Sequence, residues 1–380
     1  MKMNRIFLAL AALLVATPAM ARDQWTSAQA NAWYAKQPWL VGSNYAPANS
    51  INQLEMWQPE TFDPATIDKE LGYAESIGMN TMRVFLHNLL WENDPEGLKK
   101  RMDVFLTIAA KHHIKPLFVL FDSCWDPNPV AGPQHPPIPG VHNSGWVQAP
   151  GAARLKDESQ YGKLESYVKG VVGAFANDPR VLGWDLWNEP NNGGGGNYKP
   201  TPDKKAMVAR LLPQVFDWAR SVDPTQPLTS GVWIGDHWDD QSKLDATEKT
   251  QISQSDVLTF HDYSWPETFE KRARQMLSYG RPVICTEYMA RGNGSTFDGS
   301  LPIAKRLNIG MMNWGFVDGK TQTRMPWDSW KKPYTYEEPT IWFHEVFRND
   351  GTPYRQAETD LIKRLATSPK GVVPAAPAAK

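Results

Sequence analysis

The chain has 380 residues, with 40 Lys plus Arg against 41 Asp plus Glu, and its aromatic residues include 17 Trp. This near-zero charge balance excludes a strong attraction for nucleic acid or an anionic membrane and favours a neutral substrate. Cys124 and Cys285 are the two cysteines. They are too few to build a disulfide scaffold, although one bridge between them is open, so a large hydrophobic core is expected to hold the fold.

The beginning of the chain has the pattern of a secretory signal peptide. Lys2 and Arg5 precede an apolar run, and Ala19-Met20-Ala21 follows with the small-x-small spacing of a cleavage site. The apolar run is shorter than the roughly 20 residues that span a bilayer. We therefore predict a signal peptide over residues 1–21 and a soluble protein that is periplasmic or secreted.

Short β-branched or apolar runs alternate with longer amphipathic segments, which is typical of a parallel sheet wrapped by helices. Helices are expected between the strands, with the least clear one near residues 244–249 and six longer ones at 64–77, 95–113, 160–175, 204–221, 267–277 and 301–307. Because no glycine-rich phosphate-binding motif follows an early strand, a closed (β/α)8 barrel is favoured over an open nucleotide-binding sheet. The barrel is predicted to span residues 22–367 as one catalytic domain. Residues 368–380 are predicted to form a flexible Pro/Ala-rich tail. The predicted strands are 40–45, 81–86, 115–121, 181–187, 228–232, 257–263, 282–288 and 310–316.

Long loops are predicted after three of the strands, and in a barrel such loops carry function. The loop after the third strand covers residues 122–159, a Gly-rich segment at 193–196 follows the fourth, and several aromatic residues follow the eighth. Large aromatic residues fill cores as readily as they stack on sugars. Composition alone leaves both interpretations open.

Two glutamates stand where the fourth and seventh predicted strands end. They are Glu189, within Asn188-Glu189-Pro190, and Glu287. Strands four and seven lie on opposite sides of an eight-strand barrel, so their carboxylates face each other across its mouth. Glycoside hydrolysis needs such a pair, one carboxylic acid to protonate the leaving oxygen and one carboxylate at the anomeric carbon.

On these motifs the sequence resembles the glycoside hydrolases of clan A, and most closely the cellulase-like barrels of family 5. The resemblance covers nearly the whole chain as an order of strands, but its specific part is a handful of short motifs. It implies a retaining, two-step cleavage of β-glycosidic bonds, with Glu189 as general acid/base and Glu287 as nucleophile. The expected substrate is a β-linked oligosaccharide or polysaccharide of glucan, mannan or xylan type.

Further positions match the pattern of family 5. Arg83 on the second strand looks like the arginine that holds the nucleophile. His261 and Tyr263 look like the family's histidine and tyrosine beside the carboxylates. Trp314 on the eighth strand looks like the tryptophan under the sugar to be cleaved. Asn188 is suited to bond the 2-hydroxyl of that sugar.

The neighbours of the two glutamates are expected to separate their pKa values. Arg83 and the hydroxyl of Tyr263 would lower the pKa of Glu287, which keeps it ionised and nucleophilic. Glu189, facing that negative charge and partly desolvated, would keep its proton. Because Asn188 and Glu189 are adjacent, both can point into the mouth only if the strand loses its alternation there, for example at a bulge.

Other residues near the strand ends are candidates for binding substrate. His87 either bonds the substrate or caps its loop, and Trp125 either lines the site or packs, as do Asp122, Trp233 and His237. Cys285 is expected to be a buried core thiol.

Three alternatives to hydrolysis remain open. A metal enzyme is disfavoured because the histidines are scattered and no ligand spacing such as H-E-x-x-H is present, so no cofactor or metal is expected. A barrel that only binds sugar and a transglycosylase are the other two. Linkage specificity and endo or exo action are not encoded in the motifs, and a monomer is expected.

Overall fold

A computed structural model describes residues 21–374. Nearly all of the predicted signal peptide and the end of the predicted tail lie outside this range. Eight strands are present within it, all paired in parallel, in the spatial order β5-β4-β3-β2-β1-β8-β7-β6. They are β1 Val41–Tyr45, β2 Thr81–Phe85, β3 Lys115–Asp122, β4 Gly183–Asn188, β5 Leu228–Thr229, β6 Leu258–His261, β7 Val283–Glu287 and β8 Gly310–Asn313.

The gap between β5 and β6 is closed by the residues beyond β5. Val232 forms a parallel bridge with Phe260, and the hydroxyls of Thr229 and Thr259 lie 2.8 Å apart. The predicted strand 228–232 is therefore shorter than expected but still closes the barrel. The prediction of a (β/α)8 barrel is confirmed.

Twelve α-helices lie within residues 21–374. The six longer connecting helices that were predicted are all present, and the uncertain one lies slightly later than expected, at Ala246–Gln254. The helices are α1 Ser27–Ala35, α2 Gln53–Trp57, α3 Pro64–Ser76, α4 Asn88–Asn93, α5 Pro95–Lys111, α6 Ala152–Lys156, α7 Tyr161–Ala174, α8 Lys204–Arg220, α9 Ala246–Gln254, α10 Pro266–Leu277, α11 Phe297–Leu307 and α12 Gln356–Thr367.

Local chemistry explains where the helices begin. Asp63 accepts hydrogen bonds from the amides of Ala65 and Thr66 at the start of α3, with Pro64 at the first helical position. A reciprocal capping box between Asp245 and Glu248 starts α9. Five helices were not predicted: α1, α2, α4, α6 and α12. Four of them are at most nine residues long, and such short segments carry little periodic signal.

The hydrophobic core has two main parts. The larger lies between the sheet and the surrounding helices, and the smaller fills one end of the barrel. Side chains of β2 show how alternation builds this arrangement, because Met82 and Val84 pack outward in the larger core while Arg83 and Phe85 point inward. A polar layer with Arg83 is thereby placed above the apolar plug. The plug contains Leu40, Leu117, Leu182, Val257, Ile284 and Met312.

Within the described part of the chain, none of the helices has the length and apolarity that crossing a membrane requires. Cys124 and Cys285 are both buried and free, so the optional disulfide is not formed.

Candidate active site

The carboxyl groups of Glu189 and Glu287 meet at the carboxyl-terminal end of the barrel. Glu287 is the last residue of β7, and Glu189 directly follows β4. One oxygen of each carboxylate and Nδ1 of His261 all lie within 4.8 Å of one another. Both glutamates are buried. The two chain segments that were predicted to meet across the barrel therefore do so.

A left-handed backbone at Glu189 explains how Asn188 and Glu189, although adjacent, can both point into the barrel mouth. Glu189 has φ +43°, whereas the preceding Asn188 still lies in β4. The left-handed residue lets both side chains turn into the mouth. It takes the place of the bulge that the sequence analysis suggested. A positive φ is costly for a residue other than glycine, and such strain is concentrated at functional sites.

Glu287 is held by a cation and a phenol. Nη1 of Arg83 donates a 2.8 Å hydrogen bond to Oε1 of Glu287, and the hydroxyl of Tyr263 donates a 2.8 Å bond to Oε2. Both contacts agree with the geometry that the sequence predicts. They occupy the two oxygens from different directions and so fix the orientation of the carboxylate.

Arg83 is itself fixed by three acceptors. Its guanidinium is fully buried and donates to Oδ2 of Asp185 at 2.8 Å, to Oδ1 of Asn44 at 2.9 Å and to Oδ1 of Asn188 at 2.7 Å. Asp185 and Asn44 were missed by the sequence reasoning. An Asp inside an otherwise apolar strand was the available signal for Asp185, because a buried charge needs a partner.

Glu189 is surrounded by weaker, uncharged donors. Nδ2 of Asn192 donates to Oε2 at 2.6 Å, and the thiol of Cys124 donates to the same oxygen at 3.3 Å. Nδ1 of His261 lies 2.9 Å from Oε1. Neither Asn192 nor Cys124 was predicted, since no local pattern marks residues that meet only through the folding of the loops after β3 and β4.

The pKa expectation for Glu287 was wrong in direction. Burial raises the pKa of Glu287, and it outweighs the opposing effects of His261, Arg83 and Tyr263. Burial also raises the pKa of Glu189 despite bonds from Asn192 and Cys124. Arg83 nonetheless bonds Glu287 directly and not Glu189. Ionisation of the pair is therefore favoured at Glu287, with the proton retained on Glu189.

The neighbouring His261 and Tyr263 are uncharged at neutral pH. Burial lowers the pKa of His261 to about 4, and burial with the adjacent Glu287 raises the pKa of Tyr263 well above its usual range. Tyr263 is thus a hydrogen-bond donor to the carboxylate. The sequence prediction placed both residues on one regular strand, but β6 ends at His261 after a register shift, and Tyr263 lies in the following loop.

A cavity of about 340 Å³ opens above the two carboxylates, near the lower end of the range of small-molecule sites. Trp314 lines it but follows the end of β8 instead of lying within it. Trp125 lines the cavity with a positive φ of +68°. Other residues in its lining are Asp122, Cys124, His142, Asn188, Asn192, Gly194, Gly195, Trp233, Tyr263 and Trp327.

Four predicted site residues lie outside the cavity lining. Arg83 and His261 contact the carboxylates directly, whereas His87 and His237 do not. His87 is fully buried, its Nδ1 accepts from the amide of Leu89 at the start of α4, and its Nε2 is 3.0 Å from the carbonyl oxygen of Gln148. The structure therefore supports the capping alternative for His87 over substrate contact. His237 is exposed. After Trp314, Gly315 at φ +78° turns the chain, and Phe316 packs against Tyr45.

The cluster of Glu189, His261 and Glu287 has the donor atoms for a divalent cation. The guanidinium of Arg83 already supplies positive charge at Glu287, which opposes the binding of a second cation. Hydrogen bonds between protein groups account for Nδ1 of His261 and for both carboxylates, whereas Nε2 of His261 has no partner among the described residues.

Comparison with known proteins finds similarity to one family. Residues 138–320 match the model for cellulase (glycosyl hydrolase family 5). Mannan endo-1,4-beta-mannosidase A of Hypocrea jecorina is 25% identical over an alignment of 197 residues, which covers 46% of this chain and 43% of that protein. The alignment thus spans less than half of that relative.

Solved structures share the fold. A GH5_18 protein from Streptomyces cattleya, in complex with Manβ1-4GlcNAc, has a TM-score of 0.59 at 14% identity over 88% of this chain and 82% of its own. The exo-beta-1,4-mannosidase Op5Man5 from Opitutaceae bacterium strain TAV5 has a TM-score of 0.55 at 18% identity over 86% and 59%. At these identities the likeness concerns the fold alone. From the family match and the barrel together, the chain resembles the glycoside hydrolases of family 5 and shares their barrel fold.

Proposed function

We propose that this protein hydrolyses β-linked mannosides with retention of configuration, using Glu287 as nucleophile and Glu189 as general acid/base. The observation that carries this proposal is the unequal environment of two converging carboxylates. Arg83 and Tyr263 each donate to Glu287 at 2.8 Å, whereas Glu189 has only uncharged partners. Covalent glycoside hydrolysis requires one ionised and one protonated carboxyl group close together.

In the first step, an oxygen of Glu287 attacks the anomeric carbon and the bond to the leaving oxygen breaks. Glu189 transfers its proton to that oxygen, so that the leaving sugar departs as a neutral alcohol. Oε2 of Glu189 already accepts bonds from Asn192 and Cys124. The transferable proton is therefore assigned to Oε1.

In the second step, a water molecule attacks the anomeric carbon of the glycosyl-enzyme. Glu189, now ionised, removes a proton from that water, and the ester bond to Glu287 breaks. Arg83 and Tyr263 stabilise the carboxylate as it departs. Two inversions at the same carbon give net retention.

Asn188 is positioned for the 2-hydroxyl of the sugar. Its Oδ1 accepts from Arg83 at 2.7 Å, and its Nδ2 donates to Oδ1 of Asp122 at 2.9 Å. These contacts fix the amide plane beside Glu189. The remaining Nδ2 proton has only a weak 3.6 Å contact with Sγ of Cys124, which a hydroxyl of the substrate would replace, and such a contact strengthens in the transition state.

The relatives support mannose as the sugar. The curated relative is named a mannan endo-1,4-beta-mannosidase, and the similar structures include an exo-beta-1,4-mannosidase and a protein bound to Manβ1-4GlcNAc. The near-zero net charge is compatible with a neutral sugar. We further propose that the protein acts after export, on the pattern of residues 1–21, and as a monomer.

The test is hydrolysis of matched β-1,4-linked manno-, cello- and xylo-oligosaccharides, with the first anomer of the product observed by proton NMR. We expect cleavage of the manno-series and initial release of the β-anomer. Initial release of the α-anomer would contradict the double displacement. Cleavage of only another series would contradict the choice of mannose. A pure sugar-binding barrel would cleave none, and a transglycosylase would form longer products at the expense of hydrolysis.

A further inference from the structure

Loops from three strands join over one side of the barrel mouth. The loop after β3 is bonded to the loop after β8, although β2 and β1 separate these strands in the sheet. The amide of Asn143 donates to the carbonyl oxygen of Thr321 at 2.8 Å, and the amide of Tyr334 donates to that of Gly140 at 3.0 Å. Nδ1 of the buried His142 lies 2.9 Å from the carbonyl oxygen of Met325. These contacts tie the two loops into one body.

The loop after β4 reaches the same body from the opposite side of the barrel. Nδ2 of Asn197 donates to the carbonyl oxygen of Trp330 at 3.3 Å, and the ring of Tyr198 meets that of Trp330 edge-on at 5.4 Å. The hydroxyl of Tyr198 donates to the carbonyl oxygen of Ser144 at 3.1 Å. Since β4 and β8 are four strands apart, this contact crosses the mouth.

Two stacked indoles lie where the loops meet. The rings of Trp125 and Trp330 are 5.4 Å apart and inclined by 17°. Glycines allow the β4 loop to cover them, because a Cβ on Gly195 would lie 3.1 Å from Trp125 and one on Gly196 would lie 2.7 Å from Trp330. We call Trp125, Gly195, Gly196, Tyr198 and Trp330 the end wall.

Aromatic contacts link the end wall to Trp314, the residue proposed to lie under the sugar. The ring of Trp314 meets that of Trp146 at 5.8 Å, and Trp146 belongs to the same β3 loop as Trp125. The opposite rim is open, since Trp233 is partly exposed and the ring of Trp265, after β6, is 66% exposed. The cavity thus has a closed side next to Trp314 and an open side near the loops after β5 and β6.

We propose that the end wall blocks the glycone side of the site, so that the enzyme releases a short unit of fixed length from the non-reducing end of its substrate. This inference rests on the proposed hydrolysis of mannosides. A sugar stacked on Trp314 has its scissile bond at Glu189 and Glu287 and its non-reducing end toward the wall. The leaving chain extends past Trp233 to the open rim, where its length is unrestricted.

Mannohexaose labelled at its reducing end tests the direction of cleavage. We expect unlabelled short product of a single size from the first minutes, together with labelled chains shortened by that same unit. A second hexaose, capped on its non-reducing residue by a 4,6-O-benzylidene group, is expected to resist cleavage by at least tenfold. Labelled mono- or disaccharide among the first products, or rapid cleavage of the capped chain, would overturn the inference while leaving mannoside hydrolysis intact.

A variant of the wall tests its cause. Trp330→Ala opens the stack and should increase cleavage of the capped hexaose severalfold relative to the uncapped one. Trp342→Ala is the matched control, because Trp342 stacks on Tyr354 at 4.7 Å, whereas Trp330 stacks on Trp125, which lines the cavity. A folded Trp330→Ala protein with an unchanged ratio would overturn the role of the wall. If no mannoside is cleaved but another β-glycan is shortened from one end, the proposed sugar fails and the end wall stands.

Discussion

Nη1 of Arg83 lies 2.8 Å from Oε1 of Glu287, and both side chains are buried. The same guanidinium binds Asp185 at 2.8 Å. Arg83 therefore pairs with Glu287, which is proposed to react, and with Asp185, which is not. Such a buried network is sensitive to the loss of one member, because the remaining charge is left without compensation. Glu287, the proposed nucleophile, is therefore held by residues from β2 and β4 as well as by its own strand.

The two glutamates should respond differently to the leaving group. Glu189→Gln and Glu287→Gln are each expected to lower turnover of an oligosaccharide by several orders of magnitude, because each removes one step of covalent catalysis. With an activated aryl glycoside, which needs little acid, Glu189→Gln should retain a burst of aryl release and Glu287→Gln should not. Stopped-flow absorbance measures the burst. Near-normal turnover of an oligosaccharide by either variant would refute that assignment.

Tyr263→Phe should shift the acidic limb of the pH profile. The hydroxyl of Tyr263 lowers the pKa of Glu287, so its removal raises that pKa. The nucleophile must be ionised, and activity is lost as pH falls through its pKa. The acidic limb of kcat/KM is therefore expected at higher pH in the variant.

Tyr167→Phe is the control for Tyr263→Phe. The hydroxyl of Tyr167 is also buried, but it donates to the carbonyl oxygen of Leu120 and not to either glutamate. The control should lose some stability and keep the wild-type profile. An acidic limb that moves equally in both variants would show that the effect of Tyr263 is structural.

Cys124 is expected to act as a positioning residue for Glu189. Its thiol hydrogen bond lowers the pKa of Glu189, so Cys124→Ala should raise that pKa. The acid must be protonated, and activity is lost as pH rises through its pKa; the alkaline limb of kcat should therefore move to higher pH. Cys124→Ser keeps a donor and should restore the limb. Cys285→Ala is the control, since its thiol donates to the backbone carbonyl of Glu287 and makes no bond to Glu189, and an equal shift there would exclude a specific role for Cys124.

Trp314→Ala should separate binding from packing. The ring lines the cavity and touches Phe85 edge-on at 5.8 Å. If it carries the sugar, catalytic efficiency falls about fivefold or more on all substrates, because stacking of this kind is worth roughly a kcal/mol when desolvated. Melting temperature and kinetics on the same sample decide the matter. A large melting loss with normal kinetics in the folded protein would make Trp314 a packing residue.

A buried carboxyl outside the catalytic pair should make stability depend on pH. Burial raises the pKa of Glu345 to about 8, whereas the same group titrates near 4.5 when unfolded. Between these values the folded state holds a proton that the unfolded state releases, so the free energy of unfolding decreases as pH rises. Glu345→Gln removes this dependence, and its melting temperature should change less than that of the wild type between pH 5 and pH 8.

Glu70→Gln provides a graded comparison for that experiment. Burial raises the pKa of Glu70 to about 7. The pH range over which Glu70 lowers the free energy of unfolding is therefore narrower than that of Glu345 and ends at a lower pH. The effect of Glu70→Gln should be complete near pH 7, and that of Glu345→Gln should continue to pH 8. Identical pH dependence of melting in the wild type and both variants would contradict the raised pKa values.

Much of the barrel is determined by sequence pattern alone. The alternation of apolar runs and amphipathic segments predicts eight strands and the longer helices, because each pattern follows the side-chain period of one element. Asn188-Glu189-Pro190 and Glu287 could be located because strand order in a barrel brings the ends of β4 and β7 to opposite sides of one mouth. Local capping by Asp63 could likewise be predicted from neighbouring residues.

Only the tertiary structure decides how deeply each side chain is buried and which residues contact it. Whether Glu287 has a lowered or raised pKa depends on its burial against the charge of Arg83, and burial is a property of the whole fold. Contacts of Glu189 with Asn192 and Cys124, and of Trp125 with Trp330, join loops that are remote in sequence. A sequence pattern carries no distance between such loops, so these partners and the closed side of the cavity emerge only once the chain is packed.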